Sequence, residues 1–314
     1  MKHSNHIRTV LLMTYLLTGI MFSQKAFPQQ EPRYSQYMYN VITVNPAYAG
    51  TQDALSMVFL SRLQWTGLEG APRTHNFALH TPVSNYNMGL GLSMVADDYG
   101  PVSNLFVNIH YAYRVRITSN TILSMGLNAG VYNYHVGLSS LNVDGADPAF
   151  SNDLEQKFIP NVGFGLYLYS PRFYVAASSP RLFQTSLEND NSDMQVLTLQ
   201  RHYFVMGGYN IELNPQFILK PSFITRITEG APFSADITIR CLYQKSYGIG
   251  FSYRPDENLA LLANLQITPR LMIGYAYDFP QSELRTLSSG SHEMVIQFSL
   301  TKTPKENVIS PRDF

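Results

Sequence analysis

Apolar and polar positions alternate with a period of two along most of this chain, the repeat of an extended strand with one apolar face. Met88, Leu90, Leu92 and Met94 share one parity, and Gly89, Gly91 and Ser93 share the other. Leu105, Val107, Ile109, Tyr111, Tyr113 and Val115 stand against Asn104, Asn108, His110, Ala112, Arg114 and Arg116. Val162, Phe164, Leu166 and Leu168 oppose Gly163, Gly165 and Tyr167; Tyr247, Ile249, Phe251 and Tyr253 oppose Gly248, Gly250, Ser252 and Arg254. Leu271, Ile273, Tyr275 and Tyr277 oppose Gly274, Ala276 and Asp278, and Met294, Ile296, Phe298 and Leu300 oppose Glu293, Gln297, Ser299 and Thr301. Fourteen strands are predicted, near 53–65, 73–82, 87–97, 102–117, 120–136, 159–170, 172–179, 197–212, 215–227, 232–243, 246–254, 258–267, 269–279 and 291–301.

Short and longer connections alternate between these segments. Ser119-Asn120, Ser170-Pro171, Asn214-Pro215 and Thr268-Pro269 mark short turns, while 137–158, 180–196 and 280–290 are long. An even strand number with short turns at one end and long loops at the other is the plan of an outer-membrane barrel with both termini in the periplasm. The predicted class is all-β: a transmembrane antiparallel outer-membrane β-barrel of about 14 strands. Pro221 falls inside a strand and predicts a bulge there.

A soluble β-sandwich also alternates, and composition separates the two. Only 14% of residues are charged, against about 25% in ordinary globular proteins, and the polar parity carries Gly, Ser and Asn more than Lys and Glu. Small residues suit a crowded barrel interior, whereas a water-facing sheet would be more charged. There are 21 Tyr and 18 Phe, and the pairs Tyr111/Tyr113, Tyr167/Tyr169 and Tyr275/Tyr277 near segment ends predict aromatic girdles at the bilayer interfaces. Mean hydropathy is only −0.10, as expected where every second residue alone must be apolar.

The first 26 residues read as a secretory signal peptide: Lys2 and Arg8, then an apolar run from Thr9 to Phe22 that is too short to span a bilayer, with Ala26 as the last residue. Residues 27–50 form a periplasmic or lumenal segment, 51–301 the barrel and 302–314 a polar tail. Removing 1–26 leaves 19 basic and 22 acidic side chains, which argues against nucleic acid as a partner. The one cysteine, Cys241, admits no intramolecular disulfide.

No catalytic constellation emerges, and none is expected. His75, His80, His110, His135, His202 and His292 lie apart without metal-ligand spacing, no Gly-x-Ser-x-Gly elbow occurs, and no helix follows the Gly-x-Gly fragments at 163 and 248. No metal or cofactor is implied. Asn142, Asp144, Asp147, Asn152, Asp153 and Glu155 form an acidic loop whose spacing matches no calcium loop, so it reads as solvated. Arg62, Gln64, Arg114, Arg116, Lys220, Arg226, Asp236, Arg240 and Arg254 share the lumenal parity. In an open channel they would set selectivity; in a filled barrel they would pair across the lumen and with the N-terminal segment.

That segment is distinctive. Tyr34-Ser35-Gln36-Tyr37-Met38-Tyr39-Asn40 precedes Asn45-Pro46-Ala47-Tyr48-Ala49-Gly50, and Arg62, Gln64, Trp65, Gly67, Gly70-Ala71-Pro72 and Thr74 follow. Gln36, Tyr37, Asn40, Asn45, Pro46, Ala47, Tyr48, Gly50, Arg62, Gln64 and Trp65 are the candidate site residues, either packing inside the barrel or docking a periplasmic partner. Packing is preferred, because a buried Tyr supplies area and one hydrogen bond.

These motifs resemble the start of the PorP/SprF family of type IX secretion system membrane proteins. Asp98-Tyr99-Gly100-Pro101, Pro160-Asn161-Val162-Gly163-Phe164-Gly165 and His292-Glu293 are similar to that family as well, so the resemblance spans about residues 31–300. It implies a non-enzymatic barrel in the bacterial outer membrane, in contact with outer-membrane lipid and serving protein export, including that of gliding adhesins. The implied partners are a periplasmic ring lipoprotein with its associated secretion proteins, a peptidoglycan-binding lipoprotein, and cargo with a type B C-terminal sorting domain. The alternatives are a transport channel for small solutes and an outer-membrane lipid hydrolase. The hydrolase would need a Ser–His pair at the outer face, and the sequence offers none.

Overall fold

The computed structural model describes residues 31–301 except 53, 84–86, 141–152, 190–191, 256 and 282. The predicted signal peptide, residues 1–26, and the predicted polar tail, residues 302–314, lie outside the described residues. The strands are β1 (Ala54–Leu63), β2 (Arg73–Pro82), β3 (Met88–Tyr99), β4 (Val102–Thr118), β5 (Thr121–Val136), β6 (Leu154–Tyr169), β7 (Phe173–Arg181), β8 (Thr185–Asn189), β9 (Ser192–Leu199), β10 (His202–Tyr209), β11 (Ile211–Glu212), β12 (Phe217–Thr228), β13 (Ser234–Tyr243), β14 (Tyr247–Arg254), β15 (Asn258–Thr268), β16 (Leu271–Pro280) and β17 (Ser291–Thr301).

Fourteen of these close an antiparallel ring. β1 to β7 run in sequence, β7 pairs β10, β10 pairs β12, and β12 to β17 return to β1. The first and last strands meet from Ala54↔Thr301 to Leu63↔His292. Closure leaves no open sheet edge, the condition for placing strands in hydrocarbon, where an unpaired backbone group has no water to turn to. β11 continues the line of β10, because Gly208↔Ser222 and Ile211↔Leu219 keep one register against β12.

The parity read from the sequence sorts lipid from lumen. Along β14 exposure alternates strictly, with Ile249 68% and Phe251 57% exposed, while Gly248, Gly250 and Ser252 face inward. So many exposed branched and aromatic side chains fit a bilayer-facing surface and no aqueous one. Outward Tyr113, Tyr209, Tyr243 and Tyr247 lie toward the short-turn end, and Tyr203, Phe233, Tyr253 and Phe279 toward the long-loop end. Tyr167 and Tyr169 do not belong to a girdle. Both are fully buried on the glycine parity of β6, with Tyr167 stacked on Tyr174 and edge-on to Tyr48.

Two boundaries and one expected bulge differ from the sequence reading. The connection predicted over 180–196 contains the separate hairpin β8–β9, and the next barrel strand starts at His202, not near 197. β6 begins at Leu154, with its register shift opposite Tyr132/Tyr134. Pro221 sits in β12 without a register shift. It faces Ile239 in an unbroken ladder with β13, and the gap falls on the other edge, between Gly208↔Ser222 and Ile211↔Leu219. In the acidic loop only Asp153 and Glu155 are described. Asp153 accepts hydrogen bonds from the Ser139 amide and hydroxyl, and Glu155 pairs with Lys157 at 2.7 Å.

Candidate functional site in the filled lumen

The chain from residue 31 to 52 runs inside the barrel. It forms three short turns: a 3₁₀ turn Tyr37–Tyr39, a helical turn Val41–Val44 and a second 3₁₀ turn Pro46–Tyr48. Asn45 organises the last of these. Its Oδ1 accepts from the Ala47 amide at 2.9 Å, Pro46 follows at the first turn position, and its Nδ2 donates to the Leu166 carbonyl at 3.0 Å. One side chain thereby caps the turn and anchors it to the wall.

Inward glycines let backbone approach backbone. A Cβ on Gly165 would fall 2.1 Å from Asn45 Oδ1, one on Gly126 2.2 Å from the Ala47 nitrogen, and one on Gly89 2.1 Å from the Ala49 carbonyl oxygen. Gly50, at φ +68°, turns the segment toward β1 against Gly89. Polar wall groups complete the fit. Ser124 Oγ donates to the Ala47 carbonyl at 2.7 Å, Ser178 Oγ to the Val44 carbonyl at 2.7 Å, and Arg114 Nη1 to the Gly50 carbonyl at 2.6 Å. The Gly50 amide donates to His80 Nδ1 at 3.2 Å, and the Tyr37 and Ser222 hydroxyls bond at 2.9 Å.

Charge ties down the other end. Arg62 on β1 reaches Asp278 on β16 at 2.6 Å and Glu293 on β17 at 2.9 Å, across the seam where the ring closes. Glu293 also accepts the Ser35 and Gln36 amides at 2.9 and 2.8 Å, and Asp278 accepts the Ser35 hydroxyl at 2.8 Å. A second cluster joins Asp236 to Arg226 at 3.0 Å and to Arg254 at 2.5 Å. Arg33 pairs with Glu257, Arg181 with Glu31 at 3.4 Å, and Arg240 donates to the Tyr39 hydroxyl at 2.8 Å. Burial, then the neighbouring Arg254, push Arg33 down to about 10, so it stays charged at neutral pH. Burial raises the Tyr34, Tyr37 and Tyr48 phenols above their ordinary value and keeps them neutral, and the Tyr48 hydroxyl accepts from Gln52 Nε2 at 3.0 Å.

The segment therefore traverses the lumen. Gly50 lies beside Thr81, Pro82 and Gly89 at the short-turn end, and Glu31 lies beside Arg181 and His202 at the long-loop end. Above it a cavity of about 540 Å³ is lined by Arg33, Arg62, Trp65, Asp97, Tyr99 and Arg254, among others.

Of the residues singled out from the sequence, Gln36, Tyr37, Asn40, Asn45, Pro46, Ala47 and Tyr48 are buried in the lumenal segment, with Gly50 at its exit. Arg62 joins Ser35 directly and Gln36 through Glu293. Gln64 and Trp65 lie apart from the Asn45–Gly50 turn, on the cavity rim, where Trp65 adopts φ +47° and its amide donates to Ser291. Of the charges assigned to the lumenal parity, Arg116 is exposed and Arg114 half-buried at the short-turn end. Sequence reasoning missed Asp278, Glu293, Asp97 and Ser35 as site residues. For the three carboxylates the available signal was their inward parity, because a buried carboxylate needs polar partners; Ser35, outside any strand, carried no such signal.

A closed fourteen-stranded ring with a lipid-facing apolar exterior and a lumen filled by its own N-terminal segment defines an outer-membrane β-barrel. The sequence pattern of the type IX secretion system membrane protein PorP/SprF family matches residues 26–298. The chain belongs to that family, and its place is the outer membrane. No curated protein matches the sequence. Among solved structures, the Ralstonia pickettii toluene transporter TbuX is similar at 12% identity and TM-score 0.48, over 82% of this chain and 92% of that one. The P. putida toluene transporter TodX is similar at 9% identity and TM-score 0.49, over 85% and 95%. A Pseudomonas aeruginosa FadL homologue is similar at 11% identity and TM-score 0.41, over 78% and 88%.

Proposed function

We propose that this barrel serves type IX export through protein–protein contacts at its ends and rim, without passing cargo through its lumen. The observation that carries the reading is the lumenal segment: glycine cradles and the Arg62–Asp278–Glu293 cluster hold residues 34–50 where a transport path would run. In this proposal the Gln36–Gly50 motif and Arg62 are packing residues of the lumen, and Gln64 and Trp65 belong to the outer rim. Residues 1–26 are a cleaved signal peptide, 27–50 the lumenal segment, 51–301 the barrel and 302–314 the tail. Family membership supports the partners: a periplasmic ring lipoprotein and its associates, a peptidoglycan-binding lipoprotein, and cargo with a type B sorting domain, gliding adhesins included. No catalytic residue is assigned.

Purification of the tagged protein from gently solubilised membranes tests this. Secretion-system proteins are expected to co-purify, and deleting the gene is expected to abolish surface display of a specific cargo. Normal display in the deletion strain would reject the reading. The cavity above the segment favours a second reading, passage of small solutes, which requires the segment to leave its seat.

A further inference from the structure

The outer cavity holds a charge imbalance that the barrel itself does not resolve. Its cations are already engaged: Arg62 by Asp278 and Glu293, Arg254 by Asp236, and Arg33 by Glu257. Glu31 is held by Arg181. Asp97 differs. It points inward from β3, is 94% buried by its 6% exposure, and lines the cavity. Its one hydrogen bond comes from the Thr74 hydroxyl, at 2.6 Å to Oδ1. Among the described residues no Lys, Arg or His forms an ion pair with it, and the next residue in the chain, Asp98, is also acidic. A buried carboxylate without a cation is costly, and one turned into a cavity invites a positive group.

The same cavity supplies what such a group needs. Trp65 and Tyr99 line it with Asp97, and aromatic faces attract ammonium and guanidinium ions. Trp65 is held in a left-handed backbone conformation that non-glycine residues rarely adopt, pinned by its amide bond to Ser291 and by the Thr66 amide bond to Gly290. A volume of about 540 Å³ is in the range of sites that enclose a small molecule or an extended side chain.

We propose that this outer vestibule binds an ammonium or guanidinium group, with Asp97 as its counter-ion and Trp65 and Tyr99 as its aromatic walls. The group arrives from the long-loop side, either on a basic side chain of another protein or as a free small amine. The proposal does not rest on the secretion role.

Trp65 is the only tryptophan of the chain, so intrinsic fluorescence of the purified full-length protein in detergent reports on the site directly. Titration with agmatine, with N-acetyl-arginine methylamide and with the neutral isostere N-acetyl-citrulline methylamide is the experiment. A saturable change with the cations is expected, with the citrulline compound weaker by about tenfold or more. Asp97→Asn should lose that preference, while Asp98→Asn, on the outward parity, should keep it. Tighter binding of the arginine amide would indicate a protein side chain as the source, and tighter binding of agmatine a free amine. Equal affinity for arginine and citrulline amides in the wild-type protein would overturn the proposal even if Asp97→Asn failed to fold. No saturable change with either cation would overturn it too.

Discussion

Arg62 does two jobs with one guanidinium. It bridges the first strand to the last two, and it neutralises the carboxylates that hold Ser35 and Gln36. Removing it would leave Asp278 and Glu293 buried side by side without their cation, the arrangement in which breaking a pair costs more than never having had it. Arg62→Met is expected to destabilise the barrel by about 3–5 kcal/mol. The readout is a lower temperature at which the fast-migrating folded band disappears on a gel. The triple variant that adds Asp278→Asn and Glu293→Gln should recover much of that loss, because no buried charge is then uncompensated. If Arg62→Met alone melts like the wild type, the cluster is not what secures the segment. The arginine was legible in the sequence as a lumenal cation and Asp278 and Glu293 as polar-parity carboxylates; their pairing was not, because the carboxylates lie 216 and 231 positions away and only ring closure brings them together.

At the level of elements, the strand glycines and the N-terminal turns are two halves of one fit. Alternation identified Gly89, Gly126 and Gly165 as inward residues, and their smallness implied a crowded interior. Which backbone crowds them follows only from the fold. Gly126→Ala and Gly165→Ala place a methyl carbon within 2.2 Å of Ala47 and Asn45, while the ring's own hydrogen bonds stay intact. Each is expected to unseat the Asn45–Tyr48 turn without opening the ring. With Cys241→Ser as background, a cysteine introduced at Ala47 should react slowly with a water-soluble maleimide in the parent and faster by about tenfold or more in either glycine variant, a shift of roughly 1.4 kcal/mol or more in local opening. Unchanged labelling would mean that the wall yields instead of the turn. The aromatic pairs teach the same lesson at this scale. Tyr167 and Tyr169 look like girdle residues by position along the strand, yet parity sends them inward, where they pack beside Tyr48 and Tyr174.

For the molecule as a whole, the open question is conduction. The lumen is occupied by a segment whose side chains are mostly buried between Tyr34 and Gln52, which predicts a barrel closed to hydrated ions. Reconstituted in planar bilayers, the wild-type protein is expected to show no stable conductance steps. A variant lacking residues 34–50, if it reaches the folded heat-modifiable form, should show them. Stable steps from the wild-type protein would refute the seal and revive the solute-channel reading. The apolar exterior makes a separate demand: without detergent the mature protein should aggregate, since side chains such as Ile109, Ile249 and Phe251 have no aqueous partner.

The sequence by itself determined the class, the strand number and the face of nearly every strand residue, because these follow from a two-residue period and from local turn chemistry. It also marked the N-terminal motif as unusual. It did not determine the β8–β9 hairpin, the straight passage of Pro221 through β12 or the inward aromatic stack, which depend on what each segment meets across the ring. The occupant of the lumen was decided only by tertiary structure. Alternation says which way a side chain points, and nothing in a strand's own residues says whether water, solute or the chain's own N-terminal segment will be waiting there.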